Sequence, residues 1–88
     1  MKIARTGDWL TARIGDELVM MSARQGRYLG LTEVGARVWE LLETEPELDR
    51  ICQALEGEFD VAPDVCRAEV SVFVAEMADH GVVTIETA

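Results

Sequence analysis

Histidine occurs once in this chain, at position 80, and cysteine twice, at positions 52 and 66. A structural zinc centre takes four ligands, so these three residues cannot complete one. No serine, threonine or cysteine sits in a His-rich surround, and His80 stands alone near the end of an apolar helical pattern, so no catalytic constellation is evident. There is no glycine-rich phosphate loop and no lysine in the setting a nucleotide site requires. No apolar run approaches the ~20 residues that span a bilayer, and the start carries no signal-peptide pattern. These absences lead to the expectation of a cytoplasmic, non-enzymatic protein with no cofactor, no metal and no membrane partner. Cys52 and Cys66 each fall on an apolar helical stripe, which predicts buried free thiols rather than a disulfide.

Positive charge is also scarce. The 88 residues carry 8 Lys and Arg against 17 Asp and Glu, a net charge of −9. The imbalance is uneven. Residues 1–45 hold six basic and seven acidic side chains, while residues 46–88 hold two basic and ten acidic. Such an anionic second half disfavours nucleic acid and anionic membranes as partners. What the chain does have is apolar residues, 49% of the total, enough for one modest core in one domain spanning 1–88.

The apolar pattern changes period along the chain. Met1–Gly7 reads as a loose lead-in. Trp9–Ile14 alternates at the period of two of a half-buried strand, and Gly15-Asp16 suits a two-residue hairpin turn. Leu18-Val19-Met20-Met21 is apolar on both faces, which fits a central strand. Ala23-Arg24-Gln25-Gly26 makes a longer hairpin loop, and Arg27–Leu31 follows as a third strand. Arg27, Leu29 and Leu31 point one way there, Tyr28 and Gly30 the other. Thr32 then caps a helix expected over 33–43. Pro46 sits at the start of a second helix, whose stripe Leu48, Ile51, Cys52, Leu55 has i, i+3, i+4, i+7 spacing, with Gly57 as its stop. Phe59 and Val61 plug the connection. Pro63 opens a third helix reaching His80, with Gly81 as its terminator, and Val82, Val83 and Ile85 form a short apolar tail lying back on the body.

The third helix is the most informative element. Cys66, Val70, Phe73, Val74 and Met77 share a core face. Beside it run Val65, Glu69, Val72 and Glu76, where apolar and acidic residues alternate. Two readings fit that stripe: the margin of the core, or the wall of a groove. The opposite flank, with Arg67, Ser71 and Ala78, is the other place a groove can lie.

In order, Gly26-x-Tyr28-x-x-Leu31-Thr32-x-x-Gly35-x-x-Val38-Trp39-x-Leu41-Leu42, the spaced second helix and Val70-x-x-Phe73-Val74-x-x-Met77-x-x-x-Gly81-Val82 form a pattern. The chain resembles the PqqD-like proteins, leader-peptide recognition domains of ribosomally made and modified peptides. Thr32 departs from an Asn frequent there, and Gly81-Val82 from Gly-Leu, both conservatively. The resemblance implies an α+β, winged-helix-like fold: a three-stranded antiparallel β-meander followed by three α-helices. It implies that a precursor's leader peptide adds as a strand to Arg27, Tyr28, Leu29, Gly30 and Leu31, beside the third helix. It also implies a maturation enzyme as second partner: a leader peptidase in a lasso-peptide cluster, favoured here, or a radical enzyme of the pyrroloquinoline quinone pathway.

Elementary physics agrees with that mechanism, because an edge strand has unpaired amides and carbonyls for an extended peptide. On this reading Val72 forms the far wall of the cleft, Phe73 its floor, and Glu69 and Glu76 its polar flanks, with Val65 continuing the stripe. Arg24 and Arg27 can steer an acidic leader segment, Glu69 and Glu76 a basic one. Two alternatives compete. A winged-helix DNA-binding regulator needs cations on its recognition helix, and the third helix offers Arg67 against Asp64, Glu69, Glu76 and Asp79. A dimerisation module would use the open edge to pair with a second copy, and a weak homodimer is expected from the same edge.

Overall fold

The computed structural model describes residues 1–7 and 9–86. Its elements run β1 (Lys2–Arg5), β2 (Leu10–Ile14), β3 (Glu17–Ser22), β4 (Arg27–Leu31), α1 (Glu33–Leu41), α2 (Leu48–Phe59), α3 (Pro63–Asp79) and β5 (Val83–Glu86). The architecture is α+β: β2, β3 and β4 form the antiparallel meander in that order, and the three helices follow.

Local chemistry explains the meander. Gly15 takes φ of 63° while Asp16 does not adopt positive φ, the mark of a type II′ two-residue hairpin between β2 and β3. The β3–β4 loop closes with Gly26 at φ 65°. It is tied by the Gln25 amide donating to Ser22 Oγ at 3.2 Å. The register pairs Leu18 with Leu31, Met20 with Leu29 and Ser22 with Arg27. Leu18, Met20 and Leu31 are thereby stacked on one face, and all three are buried.

Thr32 caps α1 as its position in the sequence requires: Oγ1 accepts from the Gly35 amide at 3.1 Å. The helix buries Ala36, Val38 and Trp39. The α2 stripe Leu48, Ile51, Cys52 and Leu55 is fully internal, worth roughly 1.5–3 kcal/mol for each Leu or Ile removed from water. α3 turns Cys66, Val70, Val74 and Met77 onto the same core, and Gly81 ends it at φ 78°.

Several expectations are corrected. Lys2–Arg5 is not a loose lead-in but a strand, and the apolar tail is its partner, with Ile3 opposite Ile85 and Arg5 opposite Val83. Ile3 is 1% exposed, and its amide donates to the Pro46 carbonyl at 2.8 Å. The pairing joins the two ends of the chain, a contact that periodicity within either segment cannot reveal. β2 is less buried than a half-buried strand: only Ala12 is partly covered, because the helices pack against the other side of the sheet and Leu10 and Ile14 face outward. β3 is central, yet Met21 on its outer face is exposed. Gly57 does not stop α2, which runs on to Phe59 and ends with Asp60 in the left-handed region at φ 51°. Pro46 lies ahead of α2 rather than in its first turn, and α1 ends at Leu41, short of 43.

Candidate functional site

The fold offers an open strand edge at β4 and a surface depression on α3. Among the described residues β4 is an outer strand, hydrogen-bonded to β3 alone. Its rows can be assigned from the hairpin. In an antiparallel sheet, residues that exchange backbone bonds with a neighbour alternate with residues that do not. The two-residue turn makes Ile14 and Glu17 a bonded row, so Leu18, Met20 and Ser22 bond in the other direction, to Leu31, Leu29 and Arg27. The amides and carbonyls of Tyr28 and Gly30 are left pointing to the open edge. Their side positions lie on the outer face of the sheet, and Arg27, Leu29 and Leu31 lie on the face toward the helices.

Two contacts tie the elements flanking β4 to α3. Before β4, Gln25 Nε2 lies 3.3 Å from where a Cβ on Gly81 would stand, so the hairpin loop meets the end of α3. After β4, a Cβ on Gly35 of α1 would stand only 2.8 Å from Phe73 Cε1 of α3. Ala68, Glu69, Val72, Phe73 and Glu76 line an open depression of about 360 Å³ on α3. Val72 is 60% exposed. Phe73 is half-buried and packs against the core. Glu69 also borders a second, apolar pocket of about 250 Å³ lined by Val34, Leu55, Phe59, Val61, Cys66 and Val70.

The structure thus brings Glu69, Val72, Phe73 and Glu76 together, and places Arg27–Leu31 as an edge. Val65 stands apart: it is exposed and continues the stripe one turn closer to the start of α3 without lining either depression. Val34, Phe59, Val61 and Ala68 also line these depressions, beyond the residues the sequence singles out; the spacing Phe59-x-Val61 after α2 is the signal available for them. On the opposite flank, Arg67 pairs with Asp49 of α2, and the depression there, about 480 Å³, is lined mainly by polar residues including Asp49, Glu56 and Asp64.

Neither cysteine is an activated nucleophile. Burial is the main reason the Cys52 thiol is pushed up to about 11, and burial likewise raises that of Cys66, so both stay protonated and unreactive near neutral pH. Among the described residues, no group of three or more His, Cys, Asp or Glu side chains can hold a metal ion.

The family model for Coenzyme PQQ synthesis protein D (PqqD) matches residues 17–83. The chain belongs to the PqqD family. No curated protein matches it in sequence. Among solved structures, this PqqD-family chain is similar to "TbiB1 in Complex with the TbiA(beta) Leader Peptide", with a TM-score of 0.85 and 26% identity over 97% of this chain and 99% of that one. It also shares its fold with "Lasso peptide synthetase B1 complexed with the leader peptide", with a TM-score of 0.83 and 17% identity over 97% of this chain and 100% of the other. The matched PqqD segment, beginning at β3 and ending at Val83, contains β4 and all three helices.

Proposed function

We propose that residues 1–88 act as one leader-recognition domain that captures the leader of a ribosomally made precursor peptide and presents it, in the cytoplasm, to a maturation enzyme. The leader adds as a strand to β4 and lies against α3. The enzyme is a leader peptidase of the lasso-peptide type, with a radical enzyme of quinone-cofactor biosynthesis the next choice. The protein itself performs no chemistry.

One observation carries this reading: β4 is an outer strand whose outward backbone groups are those of Tyr28 and Gly30, in a fold whose third helix bears a depression with exposed Val72 over half-buried Phe73. Backbone bonds supply affinity that is blind to sequence, and the depression supplies selection. Family membership supports it, and so does the 26% identical relative, whose own name records a leader-peptide complex. The charge of α3 opposes the DNA-binding alternative, since its one arginine, Arg67, already bonds Asp49.

Titrating the isotopically labelled protein with leader peptides of lasso-type precursors tests the reading. The amides of Tyr28 and Gly30 and the methyl groups of Val72 should shift first. Shifts confined to the β2 side of the sheet would overturn strand addition at β4. Tight binding of duplex DNA that weakens steeply with salt would overturn the partner class.

A further inference from the structure

We propose that the outer face of the β2–β3–β4 sheet binds a second copy of this chain, sheet against sheet, with both β4 edges left open. The inference does not depend on leader binding, because it uses the face of the sheet and not its edge.

The register sorts this face into rows. Leu10, Met21 and Tyr28 lie side by side across the three strands, and they are exposed by 71%, 42% and 77%. Two residues along each strand, the next row is Ala12, Val19 and Gly30. That row is low: a single methyl, a partly buried valine and a glycine above which a Cβ would meet nothing within 4 Å. Ile14 and Glu17 follow at the hairpin end, with Ile14 65% exposed. The face is therefore a ridge beside a furrow. Glu17 is its one charged side chain among the described residues. The opposite face is already filled, since Leu18, Met20 and Leu31 are buried in the core.

Such a surface is complementary to itself. A half-turn about an axis running across the strands, midway between the two rows, lays the ridge of each copy in the furrow of the other. Tyr28 then meets Gly30 of the second copy, Met21 meets Val19 and Leu10 meets Ala12, and each contact occurs twice. Sheets stack about 10 Å apart with interdigitated side chains, and large rows set on small rows permit that spacing. Charge favours the same arrangement. Residues 1–31 carry five basic and three acidic side chains, residues 32–88 three basic and fourteen acidic. Copies joined through their sheets keep the strongly acidic helices at opposite ends of the dimer, where repulsion is weakest. Any other pairing brings at least one acidic half into contact.

The extent of the face sets the strength. Eight residues a copy compare with the roughly 20–30 a side of a standard interface, and standard interfaces run from about μM to pM. The dimer should therefore dissociate above about 1 μM and form at millimolar concentration.

Sedimentation velocity on the intact chain, up to about 1 mM, tests this. A reversible dimer is expected, and saturating leader peptide should leave it in place. Leu10→Asp should weaken it at least tenfold, because a carboxylate would be buried against apolar surface. Ala12→Phe fills the furrow and should weaken it as much, although it adds apolar surface. Both side chains lie on the outer face, so the variants should keep the fold, which circular dichroism checks. A chain that stays monomeric at about 1 mM overturns the inference and leaves the face to a different protein. Unchanged dimerisation of Leu10→Asp overturns it as well. Tighter dimerisation of Ala12→Phe would do the same, since the face would then be adhesive without the fit of row to row. A dimer that leader peptide dissolves is paired through the β4 edges instead, and also overturns it.

Discussion

The ring of Phe73 rests on the backbone of Gly35, so closely that a Cβ at Gly35 would lie 2.8 Å from Cε1. Gly35 also donates its amide to the Thr32 cap. The start of α1 and the floor of the groove are therefore one assembly. Gly35→Ala sets two effects against each other. Helix propensity favours alanine by up to about 1 kcal/mol, while overpacking costs about 1–3 kcal/mol. The clash should win, lowering stability in urea melts by about 1 kcal/mol and tilting the ring into the groove. Adding Phe73→Leu should restore part of the loss. Additive effects in that double-mutant cycle would show that the two residues are not coupled.

Val72 and Phe73 are neighbours in sequence with opposite expected behaviour. Val72 is 60% exposed, so Val72→Asp should leave stability within about 0.5 kcal/mol. It should weaken leader binding about 30-fold, because a carboxylate would be desolvated against an apolar side chain. Phe73 is half-buried, so Phe73→Ala should cost roughly 2 kcal/mol of stability, below the range for a fully buried ring. Isothermal titration paired with urea melts separates them. Equal destabilisation by both would place Val72 in the core.

The alternation along β4 makes neighbouring prolines informative. Tyr28→Pro removes an amide that faces the open edge, where proline is tolerated. The fold should survive, by circular dichroism, and leader affinity should drop at least tenfold, about the 1.4 kcal/mol expected for a lost backbone bond. Leu29→Pro removes an amide bonded to Met20 and should unfold the sheet instead. A folded Leu29→Pro variant would reverse the row assignment.

If the edge of β4 also pairs with a second copy, leader and self-association compete. A weak dimer should appear in light scattering at high protein concentration. Added salt should strengthen it by screening a net charge of −9, and saturating leader should dissolve it. A dimer that persists with leader bound would lie on another surface.

Thiol reactivity should report the core. Burial pushes the Cys52 thiol up from the ordinary 9.0 to about 11, so at pH 8 its thiolate fraction should be roughly a hundredfold lower than in the unfolded chain. Iodoacetamide should label it slowly in the folded protein and rapidly in urea. Fast labelling of the folded chain would show that the α2–α3 contact opens readily.

Local chemistry determined much of this protein before any tertiary contact. The Gly15 turn, the Thr32 cap, the α2 stripe and the Gly81 stop each follow from a few adjacent residues, because turns, caps and helical periodicity are short-range. The stripe Glu69, Val72, Glu76 was legible as unusual for the same reason. Tertiary structure alone decided what those pieces meet. It paired Lys2–Arg5 with Val83–Glu86 across the whole chain, a match that depends on where α3 delivers its end. It left Leu10, Met21 and Tyr28 exposed in one row across the sheet, because the helices cover only one face. It also set Phe73 against Gly35 and opened the pocket of Val34, Phe59 and Val61 beside Glu69. A groove is a property of two walls, and neither wall's sequence records the distance to the other.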